Sequence, residues 1–393
     1  MKKVSLSTLI TSLIVAACVS VSLTLISVQV FGNNDAASVN LINKLGKIDN
    51  LLKTDFYGEY DANLMVDNAL KSYVRSTGDK YAEYMPTERA EEYTHDLDGV
   101  KTGVGINATE HPETKAIFVR NIHSLSPADK AGLQVGDQIV MIDGQSVLEI
   151  GYKKSYDLLK KQIGDEVNLE ILRGGETIEK TLIYEKFDLQ SVFNQAIGDF
   201  SYIKITDFNG KTPQQFQNAV DESVAGGFKG LIFDLRGNGG GTVESAAQMI
   251  DYLVPKGDII SVKYKSGETE TMYKSEDGEV NLPMCVLTDG NTASASELFT
   301  ASLRDYNKAV SIGQKTFGKG IMQRTFDLGD GSKVKFTVGE YFCPNGESIH
   351  GVGILPDIEI LQTNEEIKAN ITGIPENDSV IIEAVKYLSS QIL

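Results

Sequence analysis

Gly230-Leu231-Ile232-Phe233-Asp234-Leu235 runs straight into Arg236-Gly237-Asn238-Gly239-Gly240-Gly241-Thr242. An apolar run this short, closed by a glycine turn, reads as a buried strand. Thr242 to Leu253 then reads as a helix. The pattern recurs: Pro283 to Thr288 is a second buried strand, Ser296 to Asp305 a second helix, and Ala309 to Ile312 a third strand. Alternation of this kind from about 200 to 360 predicts an α/β core with a covered sheet. The glycine loop is not a nucleotide cradle. A Walker loop needs Lys-Ser/Thr after its glycines, where Thr242-Val243 stands, and Thr242 also occupies the third glycine position of the dinucleotide spacing. Glycines at a helix start instead let backbone N–H groups approach a developing negative charge.

Asn291-Thr292-Ala293-Ser294-Ala295-Ser296-Glu297 precedes the second helix. Ser294 and Glu297 fit a capping box, which needs no chemistry. A serine at a helix N-terminus is equally placed as a nucleophile, because helix N–H groups stabilise an oxyanion. Twenty-five residues on, Lys319 sits in Thr316-Phe317-Gly318-Lys319-Gly320. On its own it reads as a surface lysine in a turn. As a base it must be neutral, and with a free pKa of about 10.4 only about one lysine in a few thousand is neutral at pH 7. An apolar wall, with Phe317 and Ile321 the local candidates, would lower that pKa by desolvation. The rival base is histidine. Of the four, His95, His111 and His123 lie ahead of the core, and only His350 falls within it. No HExxH sequence supports a metal site.

Between about 98 and 187 the texture is short strands with glycine turns. Ser126-Pro127-Ala128-Asp129-Lys130-Ala131-Gly132-Leu133 reads as a short helix closed by glycine. Gly136 to Gly144 reads as turn, strand, turn, and Tyr152 to Ile163 as an amphipathic helix ended by Gly164. Val167 to Leu172 and Thr177 to Tyr184 form a hairpin around Arg173-Gly174-Gly175. This run resembles a PDZ domain. Gly103, Val104, Gly105 and Ile106 then fit the loop whose N–H groups hold a peptide's C-terminal carboxylate; otherwise they only make a turn.

At 393 residues the chain holds more than one ordinary domain. Thirty-seven basic against 54 acidic residues leave a net charge of -17, which excludes a basic nucleic-acid footprint. Lys2 and Lys3 precede an almost uncharged apolar stretch from Leu6 to Phe31. It is long enough to cross about 30 Å of hydrocarbon, with the chain beyond it exported. A signal anchor is the expectation; a lipoprotein acylated at Cys18, or a cleaved signal, are the alternatives. Residues 33–97 read as helical, with Leu41, Leu45, Ile48 and Leu52 on one stripe, a packing or oligomerisation segment. Cys285 and Cys343 read as buried strand residues, their pairing as a disulfide left open.

The PDZ-like run, DLRGNGGG, NTASASE, TFGKGIMQ and the closing GVGILPDIEI resemble, in order and spacing, the C-terminal processing peptidases, or tail-specific proteases. The resemblance implies a crotonase-like α/β peptidase core with an inserted PDZ domain, an N-terminal helical segment and an N-terminal transmembrane helix. The expected domains are 1–32 signal anchor, 33–97 helical region, 98–187 PDZ domain, 188–365 peptidase core and 366–393 helical tail. It makes Ser294 the nucleophile, Lys319 the base and Gln323 the residue that orients the lysine. The oxyanion hole would use the N–H groups of Ala295 and Gly240. Arg173 is the candidate contact between PDZ domain and core. No cofactor or metal is implied. The expected partners are protein substrates with exposed C-termini and the cytoplasmic membrane, with the catalytic part outside the cytoplasm and a homo-oligomer through the N- or C-terminal helices left open. A catalytically dead PDZ scaffold and a hydrolase using His350 are the competing readings. Gly239 stands where the family commonly has proline.

Overall fold

The structure, a computed structural model, describes residues 36–276, 278, 280–363, 366 and 377–392. The N-terminal apolar stretch lies outside the described residues, and among those described no helix is long and apolar enough to cross a membrane. The chain divides into two units, residues 1–68 and 69–393. The first contains α1 (Ala36–Asp55), whose Leu45, Ile48 and Leu51 are exposed. The division falls within α2 (Ala62–Arg75).

After the end of α2, the second unit continues with β1 (Glu83–Met85) and α3 (Thr87–Asp98). Next come β2 (Val100–Gly103), β3 (Ile106–Glu110), β4 (Ile117–Ile122), α4 (Pro127–Lys130), β5 (Gln138–Ile142), β6 (Gln145–Ser146), α5 (Val147–Ile150) and α6 (Tyr152–Leu158). The hairpin β7 (Glu166–Arg173) and β8 (Glu176–Ile183) follows, then β9 (Glu185–Asp188). The sheet order is β3-β4-β5-β7-β8, and β2 pairs antiparallel with β9 where this region enters and leaves the rest. Ile117, Val119, Ile139, Leu169 and Ile171 close its core. The helix expected to reach Ile163 stops at Leu158. The Asp165 side chain takes the Gln162 N–H (3.2 Å) and builds a turn instead of another helical turn.

The remaining elements are β10 (Val192–Ile197), β11 (Phe200–Ile205), α7 (Thr212–Ala225), β12 (Leu231–Asp234), α8 (Val243–Leu253), β13 (Gly257–Tyr264), β14 (Thr269–Ser275), β15 (Met284–Thr288), α9 (Ala295–Asp305), β16 (Ala309–Gly313), β17 (Ile321–Asp327), β18 (Lys333–Phe342), β19 (Ile358–Glu359) and α10 (Ser379–Gln391). One sheet runs β10-β11-β12-β15-β16-β19, parallel except for β10 against β11. Side chains alternate across it. Leu231, Phe233, Met284 and Val286 pack under α7, α8 and α9, while Ile232, Cys285 and Leu287 pack under α10. Both faces are covered, which is why these strands read as unbroken apolar runs. A second, antiparallel sheet runs β1-β18-β13-β14 with β17 on β18, and the sequence had not signalled it. Its strands alternate only loosely, and three-residue β1 is made by pairing Tyr84 with Val334. Cys285 and Cys343 are buried free thiols.

Candidate active site

Three loops converge where β12 and β15 end and α9 begins. The glycine loop leaves β12. Gly237 N–H donates to Asp289 Oδ1 (3.1 Å), and Asn238 Nδ2 donates to Ile205 O (2.9 Å). The Asn238 carbonyl accepts from Ala293 N (3.1 Å) and Ser296 Oγ (3.1 Å). In the serine loop, Asp289 Oδ1 gathers the N–H groups of Asn291 and Thr292 (both 2.9 Å), and Thr292 Oγ1 donates back to Leu235 O (3.0 Å). The lysine loop is tied in by Phe317 N donating to Thr292 O (3.0 Å).

Ser294 heads α9, with φ 58° and ψ -117°. A non-glycine residue held there stores about 1–3 kcal/mol, which persists only where surroundings impose it. The principal constraint is Glu297, fully buried. Its carboxylate accepts from Ser294 N (2.9 Å), Thr316 Oγ1 (2.5 Å), Gly318 N (2.7 Å) and Lys319 N (2.8 Å). The capping box is therefore present on its glutamate side, and the same carboxylate also fastens the lysine loop to the serine. Tyr341 on β18 adds a second clasp, its hydroxyl shared between Ser294 O (3.0 Å) and Lys319 O (2.8 Å).

Lys319 is half-buried, and its Nζ lies 4.4 Å from the Tyr81 ring centroid. Among the described residues Nζ has no hydrogen-bond or ion-pair partner. Burial pushes its pKa below the usual lysine value and Lys335 pushes the same way, against the opposing charge of Asp79. Asp79 is itself held by the N–H groups of Tyr81 (2.9 Å) and Thr337 (2.8 Å). Tyr81 covers the ammonium group, and of the two expected wall residues Phe317 is 56% exposed. Gln323 on β17 donates its amide to Ile321 O (3.2 Å), not to Lys319. His350 is exposed, with its backbone against Gly320.

Gly240 lies against the serine with φ 102°. A Cβ there would come within 2.9 Å of Ser294 Cβ. Its N–H, expected to face an oxyanion, donates to Asn238 Oδ1 (2.8 Å). Among the described residues the N–H groups of Ala295 and Gly239 have no acceptor, and Ala295 opens α9 at the positive end of its dipole.

Gly103, Val104, Gly105 and Ile106 line a separate cavity of about 620 Å³ with His123, Tyr156, Leu159 and Phe187. Glu88, Glu92 and His95 of α3 face it. Among the described residues the Val104 and Gly105 N–H groups have no acceptor. A Cβ on Gly105 would lie 2.1 Å from Ser126 Cβ, so this turn admits only glycine. A larger cavity, about 810 Å³, is lined by Arg304, Asp305, Glu347 and Tyr387 and includes none of these residues. Arg173 is engaged within its own region. Its Nε and Nη2 each lie 2.7 Å from the Asp137 carboxylate, and Nη2 also reaches Gly132 O (3.0 Å).

Glu297, Asn238, Asp289, Tyr341, Tyr81 and Asp79 escaped the sequence reading as site residues. Only Glu297 carried a signal, its place in the capping box.

Residues 199–360 match the model of peptidase family S41, and residues 102–183 that of a PDZ domain. The chain is 34% identical over 319 residues to the carboxy-terminal processing protease CtpA of Bacillus subtilis (strain 168), covering 80% of this chain and 68% of that one. It is 32% identical over 353 residues to a CtpA-like serine protease of Staphylococcus aureus (strain N315), covering 89% and 71%. A crystal structure of an S41-type protease from Bacteroides fragilis NCTC 9343 aligns with TM-score 0.54 at 19% identity, over 85% of this chain and 99% of that one, a likeness of fold.

Proposed function

This chain belongs to peptidase family S41 as a C-terminal processing serine protease with a PDZ domain, and from that premise we propose that Ser294 and Lys319 form its catalytic dyad. The observation that carries the proposal is the buried Glu297 carboxylate, which ties the backbones of Ser294 and Lys319 to one group. Beside it stands a lysine that, among the described residues, makes no ion pair, and whose pKa burial lowers.

The mechanism is acyl transfer. Neutral Lys319 takes the Ser294 Oγ proton as Oγ attacks the peptide carbonyl carbon. The carbonyl π pair moves onto oxygen, and the Ala295 N–H at the head of α9 receives that charge. The second donor comes from the glycine loop: Gly239, whose N–H has no acceptor among the described residues, or Gly240 once Asn238 releases it. The tetrahedral centre collapses, the C–N bond breaks, and Lys319 returns the proton to the leaving amine. Lys319 then activates water to hydrolyse the ester. Gln323 orients Lys319 after its amide leaves Ile321 O.

Residues 98–187 present substrate C-termini, with the Val104 and Gly105 amides holding the terminal carboxylate. The apolar stretch from Leu6 to Phe31 tethers the catalytic part outside the cytoplasmic membrane.

The test is hydrolysis of an unfolded protein with an apolar C-terminus. Ser294→Ala and Lys319→Ala are each expected to lose activity while keeping the wild-type circular dichroism, and His350→Ala to retain it. Activity surviving in either dyad variant would remove the dyad. Failure of wild-type Ser294 to label with a serine-reactive probe would favour the dead scaffold.

A further inference from the structure

Buried charge away from Ser294 concentrates where α10 meets the glycine loop. Asp234 closes β12, Arg236 follows it, and Asp378 precedes α10; both aspartates have side chains only 1% exposed and Arg236 only 10%. The Arg236 guanidinium grips Asp234 in a fork, Nε to Oδ1 at 2.9 Å and Nη2 to Oδ2 at 2.6 Å. Its third nitrogen, Nη1, reaches Asp378 Oδ2 at 2.7 Å. Tyr202 OH donates to Asp234 Oδ2 (2.5 Å), completing that carboxylate.

The two oxygens of Asp378 do different work. Oδ1 caps α10, accepting from Val380 N (2.9 Å) and Ile381 N (3.3 Å), and takes the Gln362 amide (3.0 Å). A cap needs no more than this one oxygen, and asparagine or serine supplies it as well. Oδ2 is surplus to capping and is spent on Arg236. Arg236 leads directly into Gly237 and Asn238, whose carbonyl holds Ala293 N and Ser296 Oγ on either side of Ser294. Two residues further, Gly240 abuts Ser294.

We propose that Asp378 is a positioning residue for the peptidase reaction: by docking the C-terminal helix onto Arg236 it fixes where the glycine-loop amides stand against Ser294. This rests on reading Ser294 as the nucleophile. A buried guanidinium left with one carboxylate no longer has its chain-side geometry fixed from both ends. Loop position matters in the transition state more than in substrate capture, so the loss belongs in kcat.

The experiment uses the full chain carrying Asp378→Asn, which keeps a cap oxygen and removes the charge. Rates are normalised to folded protein from near-UV circular dichroism. The expected result is a fall in kcat of about tenfold to a hundredfold with KM within about twofold of wild type. A purely structural role would lower the folded fraction and leave kcat per folded molecule unchanged. If D378N does not fold, D378S, a cap without the second oxygen, is measured in its place with the same expectation. A kcat within twofold of wild type in folded protein, or a loss lying wholly in KM, overturns the proposal. Ser294→Ala run alongside separates the two failures. Activity surviving S294A removes the nucleophile reading, whereas inactive S294A with unaltered D378N removes only the role of Asp378.

Discussion

Gly240→Ala places a Cβ 2.7 Å from the Ala293 carbonyl oxygen, 2.9 Å from Ala295 N and 2.9 Å from Ser294 Cβ. Two of these three are backbone atoms, and the loop that holds them is fastened by Asn238 and Glu297. Neither can swing aside as a long side chain would. The left-handed φ of 102° adds its own penalty, about 1–2 kcal/mol for a residue with a Cβ. Relieving the overlap costs about 1–3 kcal/mol more. The sum, about 2–5 kcal/mol, is within what a folded domain survives. The displacement falls on Ser294 and on the Ala295 N–H, and loss of one oxyanion donor costs about 10²–10³ in kcat. Gly290→Ala, outside the oxyanion donors, is the control, because its Cβ meets nothing within 4 Å. It should shift stability by less than about 0.5 kcal/mol and leave kcat unchanged. Urea midpoints and initial rates of both variants on the same unfolded substrate decide the matter. A wild-type rate in G240A, or equal damage in both variants, would refute the steric argument.

The rate should climb with pH through an ionisation below the free lysine value of about 10.4, since burial and Lys335 lower the pKa of Lys319 and only its neutral form accepts the serine proton. Between that folded pKa and the free value the unfolded chain binds a proton the folded one lacks, so this group's contribution to stability rises with pH across the same window. The negative charge of Asp79 opposes that lowering of the Lys319 pKa. Asp79→Asn, which keeps an acceptor for Tyr81 N and Thr337 N, should therefore move the rising limb to lower pH; a limb that stays put or moves to higher pH argues against a lysine base. Amidating a substrate's C-terminus removes the charge that the Val104 and Gly105 amides would hold, and should slow cleavage well below that of the free acid. Equal rates would remove carboxylate reading and leave the dyad standing. Protease added to intact, wall-stripped cells should digest the catalytic part, and full protection would refute placement outside the membrane.

Much of the candidate site was legible because its signals are local. Unbroken apolar runs such as Leu231–Asp234 and Met284–Thr288 follow from burial on both faces of a sheet, which selects every side chain along the strand. Glycine loops and caps announce themselves because backbone conformation is chosen by residues only a few positions apart. Ser294, Lys319 and the Gly103–Ile106 turn are all signals of this kind. What needs the tertiary structure is which distant groups meet them. No spacing reveals that Tyr81 covers Lys319, or that Tyr341 clasps both the serine and the lysine loop. Nor does any spacing show the Gly240 N–H turned to Asn238, or Arg173 spent on Asp137. The antiparallel sheet that delivers Tyr341 and Gln323 was invisible for the same reason: strand β1 exists only because Glu83, Tyr84 and Met85 find Lys335, Val334 and Lys333 across the chain. Propensity is a property of neighbours along the chain. Partnership is decided by packing and by the need of every buried polar group for a partner, and in this protein Glu297 satisfies that need for four donors drawn from two separate loops.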